Sequence, residues 1–329
     1  MTSPPTPLPG TLSNRINELY HDLQAPQFER LHQRRHRIER RFWLSQVLPR
    51  VRAMSQANGV DLCTGTGFVP GLLLENLGVS FTITCLDISQ EALCRTAASL
   101  HRFAGRFTVR QANAAQVPLG DASADWVSVN AALHHLPDVP AAMKEVDRIL
   151  KPGGYFFVGY EPNERFFRRR PLAVMERVLW RLAWYASPRN NWRRLGKALG
   201  RRAPLDVGED GYLRAINETL LREGRLAEPL TLQQLRQHVD VHSQPQDHGA
   251  MGLDPLGLLS DCFLKYQCES LVCSDYGGES LRPHTWLRAA IDGVMRRAAP
   301  TSGMLFSWVI RKPMNPADVA ATDGETRKR

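Results

Sequence analysis

At 329 residues the chain has room for one large domain, or for one domain carrying a substantial insertion. Its 43% hydrophobic and 23% charged content is ordinary for a soluble globular protein, and no apolar run approaches the roughly eighteen residues that a membrane span needs. The formal charge of +9, with arginines gathered at 30–41, 165–170 and 189–202, leaves four explanations open: a solvated basic surface, an acidic substrate, an anionic membrane surface or nucleic acid.

Residues 1–10 are proline-rich and lack the basic-then-apolar order of a secretory signal, so a disordered N-terminus and a cytoplasmic location are expected. Residues 11–54 follow as a charged helical segment. From there short apolar runs alternate with helices: a strand at Val60–Cys63, a helix at Val69–Asn76, a strand at Phe81–Asp87 and a helix at Gln90–Phe103. Strands at Phe107–Gln111 and Trp126–Asn130 come next, then a helix at Ala141–Leu150 that Pro152 and two glycines stop, then a strand at Tyr155–Gly159. This alternation over 55–162 predicts a parallel, doubly wound α/β sheet.

Residues 163–229 read as a helical cap insertion dense in Arg and Trp. Within it, 171–186 places Leu172, Met175, Val178, Leu179 and Leu182 on one helical face and Arg177 and Arg181 on the other. Such a helix suits a lid over a substrate or a helix lying on an anionic membrane, and Trp180, Trp184, Tyr185 and Trp192 suit an aromatic pocket or ordinary core. The core resumes over 230–251, where Thr231 and Gln234 make a capping box before a weak strand at Val239–Gln244. A second, irregular insertion covers 252–302. Residues 303–313 hold the last strand, and 314–329 a disordered tail. Six cysteines at irregular spacing do not form a disulfide framework, and Cys262, Cys268 and Cys273 lack the spacing of a metal site.

The stretch VDLCTGTGFVP (60–70) is a strand running into a glycine turn and a helix, the arrangement that holds nucleotide-like cofactors. Pro70 stands where a dinucleotide fingerprint needs its third glycine, and no GKS or GKT follows as in a phosphate loop. A cofactor without phosphates needs only a tight turn and close backbone approach, which Gly65 and Gly67 supply. Asp61 at the strand end suits an ammonium group. Asp87, twenty residues beyond Gly67, suits both hydroxyls of a ribose.

With VDLCTGTG, LDIS (86–89), QANAAQVPLGDASADWVSVNAALHHLPD (111–138) and LKPGG (150–154) in this order, the chain resembles the class I S-adenosylmethionine-dependent methyltransferases, closest to their small-molecule branch of ubiquinone and menaquinone type. The likeness spans about 55–160 and the final strand. It implies a Rossmann-like seven-stranded sheet with an antiparallel last strand, and S-adenosyl-L-methionine as cofactor. Asp61, Cys63, Thr64, Gly65 and Gly67 would hold its methionine end, Asp87 its ribose, and Ile88, Asn113, Ala114 and Asn130 would complete the site. Two positions depart from the common pattern. Cys63 replaces a glycine, tolerable if its φ is negative. Asn113 replaces an aspartate, whose acceptor role toward the adenine amino group its carbonyl oxygen can fill.

Methyl transfer from a sulfonium expels a neutral leaving group, so alignment and exclusion of water matter most, and a base helps only an acceptor that must lose a proton. His134 and His135 after the fourth strand are candidate bases, and Glu161 after the fifth could orient an acceptor or cap a turn. The expected acceptor is a small or medium organic molecule methylated at oxygen, quinone-like, lipid-like or a secondary metabolite. Nucleic acid fits less well, because the place after the fourth strand reads NAALHH (130–135), without the prolines and aromatic that grip a flipped base. A non-catalytic cofactor-binding protein is the other alternative, and oligomeric state is left open.

Overall fold

A computed structural model describes residues 11–54, 56–169, 171–172, 174, 178, 209–242, 251–276 and 285–314. Helix α1 (Leu12–Phe42) starts at Thr11, whose side chain accepts the Asn14 N–H. It runs through one π-helical turn (Trp43–Val47) into the short α2 (Leu48–Arg52). The alternation predicted from the sequence then unfolds as β1 (Ala57–Leu62), α3 (Phe68–Leu74), β2 (Phe81–Asp87), α4 (Gln90–Ser99), β3 (Phe107–Gln111), β4 (Ala124–Asn130), α5 (Val139–Ile149) and β5 (Leu150–Pro162). Two later strands, β6 (Gln267–Ser274) and β7 (Leu305–Arg311), complete a seven-stranded sheet of order β3-β2-β1-β4-β5-β7-β6.

Strands β1 to β5 pair in parallel. Strand β7 runs the other way: near one end of β5 the Gly153 N–H donates to the Lys312 carbonyl, and near the other the Asn163 N–H donates to the Met304 carbonyl. The inner strands are buried on both faces, and Val60, Leu62, Ile83, Leu86, Val127, Val129, Phe156 and Val158 are each 3% exposed or less. Near-continuous apolar strands of this kind are what a sheet covered by helices on both sides requires. Helix α5 contributes one such cover with the buried stripe Val139, Ala142, Met143, Val146 and Ile149. The order reverses between β1 and β4, and a crevice opens beyond the carboxyl ends of strands at such a reversal.

Two compact units result. One comprises Met1–Glu161, Leu256–Leu271 and Ser307–Arg329, the other Pro162–Pro255 and Val272–Phe306. In the second, the Asn163 side chain donates to the Thr301 and Gly303 carbonyls at 3.0 and 2.8 Å, and Arg165 pairs with Asp254 at 2.6 Å. The capping box at Thr231 and Gln234 starts a helix at Leu232–Val239.

Three expectations change. The strand expected at Val239–Gln244 is absent over 239–242: Val239 is the buried last residue of the helix, one turn after Leu235, and a turn follows, while 243–244 lie outside the described residues. The sixth strand is instead β6, inside the stretch read as an irregular insertion. Strand β1 ends at Leu62, so Cys63 belongs to the turn. Of the helix expected over 171–186, only 171, 172, 174 and 178 are described. They are helical, with Leu172 8% and Val178 50% exposed; Met175, Arg177, Leu179, Trp180, Arg181, Leu182, Trp184, Tyr185 and Trp192 lie outside the described residues. Among the described residues no helix is long and apolar enough to cross a membrane.

Candidate functional site

At the reversal between β1 and β4 lies a cleft of about 820 Å³, part of it open to solvent. The described residues that line it all belong to the first unit. Cys63, Gly65 and Thr66 come from the turn after β1, Asp87 and Ile88 from the end of β2, Asn113 and Ala114 from beyond β3, and Asn130 and His135 from beyond β4. Of the residues expected at a cofactor, Cys63, Gly65, Asp87, Ile88, Asn113, Ala114 and Asn130 thus share one wall. Asp61, Thr64 and Gly67 stand behind it.

The turn at 63–67 is tight. Cys63, Gly65 and Gly67 have φ of 53°, 56° and 88°. A Cβ added at Gly65 would meet nothing within 4 Å, so its backbone faces open cleft, whereas one at Gly67 would crowd Thr96 and Ser99. Cys63 corrects the expectation of a negative φ. It holds the left-handed conformation that an L side chain adopts at a cost of about 1–2 kcal/mol. Ala131 and Tyr160, just past β4 and at the end of β5, share this strain with φ of 51° and 56°. Strained backbone therefore gathers at the carboxyl ends of the three strands that frame the site. Burial, then the carboxylates of Asp87, Asp61 and Glu161, push the Cys63 thiol well above its ordinary range, so it stays protonated and is no nucleophile.

Asp87 is 7% exposed and organises the turn: Oδ2 accepts the Gly65 N–H at 2.8 Å and Oδ1 the Ser89 N–H at 2.9 Å. Burial raises its pKa in spite of these two donors. Asp61, 2% exposed, accepts a hydrogen bond from the Ser128 hydroxyl, and burial pushes its pKa up to about 7. Asn113 uses Oδ1 to accept the Ala115 N–H at 2.9 Å, a turn-forming bond made from within the cleft wall.

Of the two roles expected for Glu161, orienting an acceptor and capping a turn, the geometry matches the second. Its carboxylate does not face the rim but is 0% exposed. Oε1 accepts the N–H groups of Ala132 and Leu133 at 2.7 and 2.8 Å, and Oε2 accepts the His134 N–H at 3.2 Å and bonds His134 Nδ1 at 2.8 Å. Burial raises its pKa, but His134 and the backbone donors outweigh that and hold it below the ordinary range. Burial lowers the pKa of His134, so the ring is neutral, donates from Nδ1 and keeps Nε2 as the basic nitrogen. The pair has the orienter-and-base form, but His134 is 8% exposed and lies behind the lining. His135 does line the cleft, its ring centroid 4.0 Å from that of His134.

Sequence reasoning missed one wall entirely. Helix α1 supplies Asn14, Asn17, His21, Ala25 and Phe28, and His21 meets His135 edge-on with centroids 5.2 Å apart. The signal was there: these positions recur at intervals of three and four, a single helical stripe. Its polar members hid it from a search for apolar periodicity.

A Rossmann-like sheet with a reversed final pair and a ligand cleft at its switch point defines the class of protein. Comparison with known proteins narrows it. Residues 60–158 match the family model described as methyltransferase domain. The demethylmenaquinone methyltransferase of Lactiplantibacillus plantarum is 30% identical over 142 residues, 40% of this chain and 56% of the relative. That of Lactococcus lactis subsp. lactis is 33% identical over 113 residues, 34% and 45% of the two chains. The chain thus spans about half the length of the curated relatives it matches. The crystal structure of the [4+2]-cyclase SpnF covers 94% of this chain and 100% of its own at a TM-score of 0.51 and 14% identity, a likeness of fold alone.

Residues 60–158 thus resemble the class I S-adenosylmethionine-dependent methyltransferases. S-adenosylmethionine is the cofactor that this class takes, and the residues present fit it. Gly65 leaves its side of the turn open, Asp87 stands as a buried acceptor at the cleft, and no phosphate-binding cation is among the described residues that line it.

Two outcomes follow. Cys63→Gly relieves the left-handed strain and raises stability by about 1 kcal/mol, visible as a thermal midpoint a few degrees higher; a lower midpoint would contradict the strain. Asp61 has a folded pKa of about 7 against an ordinary 3.8, so the folded chain binds the proton more tightly. Its contribution is complete below the unfolded value and is lost as pH rises through about 7. Asp61→Asn should therefore raise the midpoint at alkaline pH and flatten its decline with pH; thermal scans of the ligand-free protein across that window check this.

Proposed function

We propose that the protein transfers a methyl group from S-adenosylmethionine to a small or medium organic acceptor at oxygen, the acceptor being quinone-like, lipid-like or a secondary metabolite. One observation carries this most: in a chain of 42 Lys and Arg, none of the described residues lining the cleft is either. A cleft of that composition suits a cationic sulfonium and an uncharged acceptor and gives no grip on a phosphate backbone. The relatives named demethylmenaquinone methyltransferase support the same acceptor class.

The cofactor supplies an electrophilic methyl on a sulfonium that leaves as a neutral thioether. In this proposal Asp87 accepts the ribose hydroxyls, Asp61 faces the ammonium through the 63–67 turn, and Ile88, Asn113 and Ala114 hold the adenine. His135 meets the acceptor and takes its proton. Glu161 and His134 keep the 132–134 turn in place beneath it. The carboxyl ends of the strands and α1 exclude water, so alignment supplies most of the acceleration.

Titration calorimetry with S-adenosylhomocysteine tests the cofactor half: the chain binds it, and Asp87→Ala weakens binding about tenfold or more. An affinity untouched by that substitution would sink the assignment. Radiolabelled methyl transfer tests the other half, with label expected in a small-molecule extract. Label in RNA would replace the acceptor class, and binding without transfer to any fraction would make the protein a non-catalytic binder.

A further inference from the structure

Capping the turn after β4 does not by itself call for a charge. Elsewhere this chain caps its helices with the neutral acceptors Thr11, Ser89, Asn163 and Thr231, and its acidic cap Asp138 bonds at the exposed surface. At 132–134 the acceptor is instead the carboxylate of Glu161, 0% exposed. Burial of an ionised group is costly, so a charge kept there serves more than the cap.

A single peptide stands between that charge and the cleft. Ala131 and Ala132 both line the cleft, and the Ala132 N–H donates to Glu161 Oε1 at 2.7 Å. Alanine places no long or polar side chain in the way. The peptide bonds are trans, and a trans peptide sets its N–H and C=O in opposite directions. The 131–132 peptide therefore turns its positive end to Glu161 and its negative end away, an alignment that extends the field of the carboxylate instead of screening it.

Nor does a neighbouring cation cancel the charge. Among the described residues the ion-pair geometry of Glu161 is with His134, whose ring burial and then His135 keep neutral. Arg35 is near enough to lower His134 further, but its guanidinium is matched at 2.5 Å by Glu39, a carboxylate 1% exposed. The field also reaches the glycine turn. After burial, Asp87 and Asp61, it is Glu161 that raises the thiol of Cys63, a residue lining the same cleft.

We infer that Glu161 is a specificity-determining residue for the cofactor: its buried carboxylate, one peptide behind the cleft at Ala132, favours a ligand with a positive charge at the sulfur position over the neutral thioether left after transfer. It thus helps to seat the methyl donor and helps the spent cofactor to leave. At an effective dielectric of about 20, two unit charges about 12 Å apart change an affinity by a factor of about ten, so the carboxylate acts without touching the ligand. Burial limits the screening of this effect by salt. Asp61 faces an ammonium that donor and product both keep, so it does not make the distinction. The inference rests on the proposed cofactor and concerns what separates its two forms.

Titration calorimetry on the full chain with three ligands tests it. They are S-adenosylmethionine, sinefungin, whose ammonium stands in for the sulfonium at neutral pH, and S-adenosylhomocysteine, neutral at that position. The unaltered chain binds sinefungin about tenfold or more tightly than S-adenosylhomocysteine, a ratio read without any variant. Glu161→Gln keeps the shape and an acceptor for the Ala132 and Leu133 amides; it weakens S-adenosylmethionine and sinefungin about tenfold and leaves S-adenosylhomocysteine within about twofold. Glu161→Asp retains the charge and with it the preference for sinefungin, whatever it does to all three affinities together. Equal binding of sinefungin and S-adenosylhomocysteine by the unaltered chain, or an equal loss of all three ligands in Glu161→Gln, would leave Glu161 a turn cap and overturn the inference alone. Failure of the unaltered chain to bind any of the three would overturn the cofactor assignment with it.

Discussion

Burying an ionised carboxylate costs several kcal/mol unless donors surround it, and three central strands of this sheet carry one at or next to their last residue. Asp61, next to last in β1, lies against Ser128, Asp87 ends β2 between the amides of Gly65 and Ser89, and Glu161, next to last in β5, gathers three backbone N–H groups and an imidazole. These demands shape the loops around them. The glycine turn is pulled toward Asp87, and the turn after β4 is wrapped onto Glu161. The result is a ring of hydrogen-bonded acids at the switch point, beside a cleft whose described walls carry no lysine or arginine.

The order of strands and helices from 57 to 162 was legible because each element obeys a local rule: β-branched runs at 81–87, an apolar stripe at 139–149, a proline and glycines after it. The capping box at Thr231 was equally local. The sixth strand was not, since QCESLVCS mixes polar and thiol residues, and its pairing with a distant β7 decides its state. Val239 misled for the opposite reason: a β-branched residue beside an alternating pair looked extended, but burial with Leu235 one turn earlier favoured the helix.

At the site, spacing alone found Asp87 and the glycine turn. It could not distinguish a carboxylate that meets a ligand from one that holds a loop, because both lie at a strand end. Glu161 shows the difference: only the positions of the 132–134 amides reveal that its lone pairs are spoken for. Nor could it foresee the φ of Cys63, which depends on how β1 hands over to α3. The contribution of α1 required knowing that a helix forty residues upstream in sequence lies along the carboxyl edge of the sheet, a long-range fact that no local pattern encodes.

The polar stripe of α1 has a bearing on how the chain is made. This helix precedes everything it packs against, so during synthesis it must wait in water for β1 to β5 to assemble. An apolar stripe in that position would be an adhesive surface offered to other nascent chains. Asparagines and a histidine are instead content in solvent, and the greasy anchor from Phe42 to Val51 leaves the ribosome last, next to the first strand that will cover it.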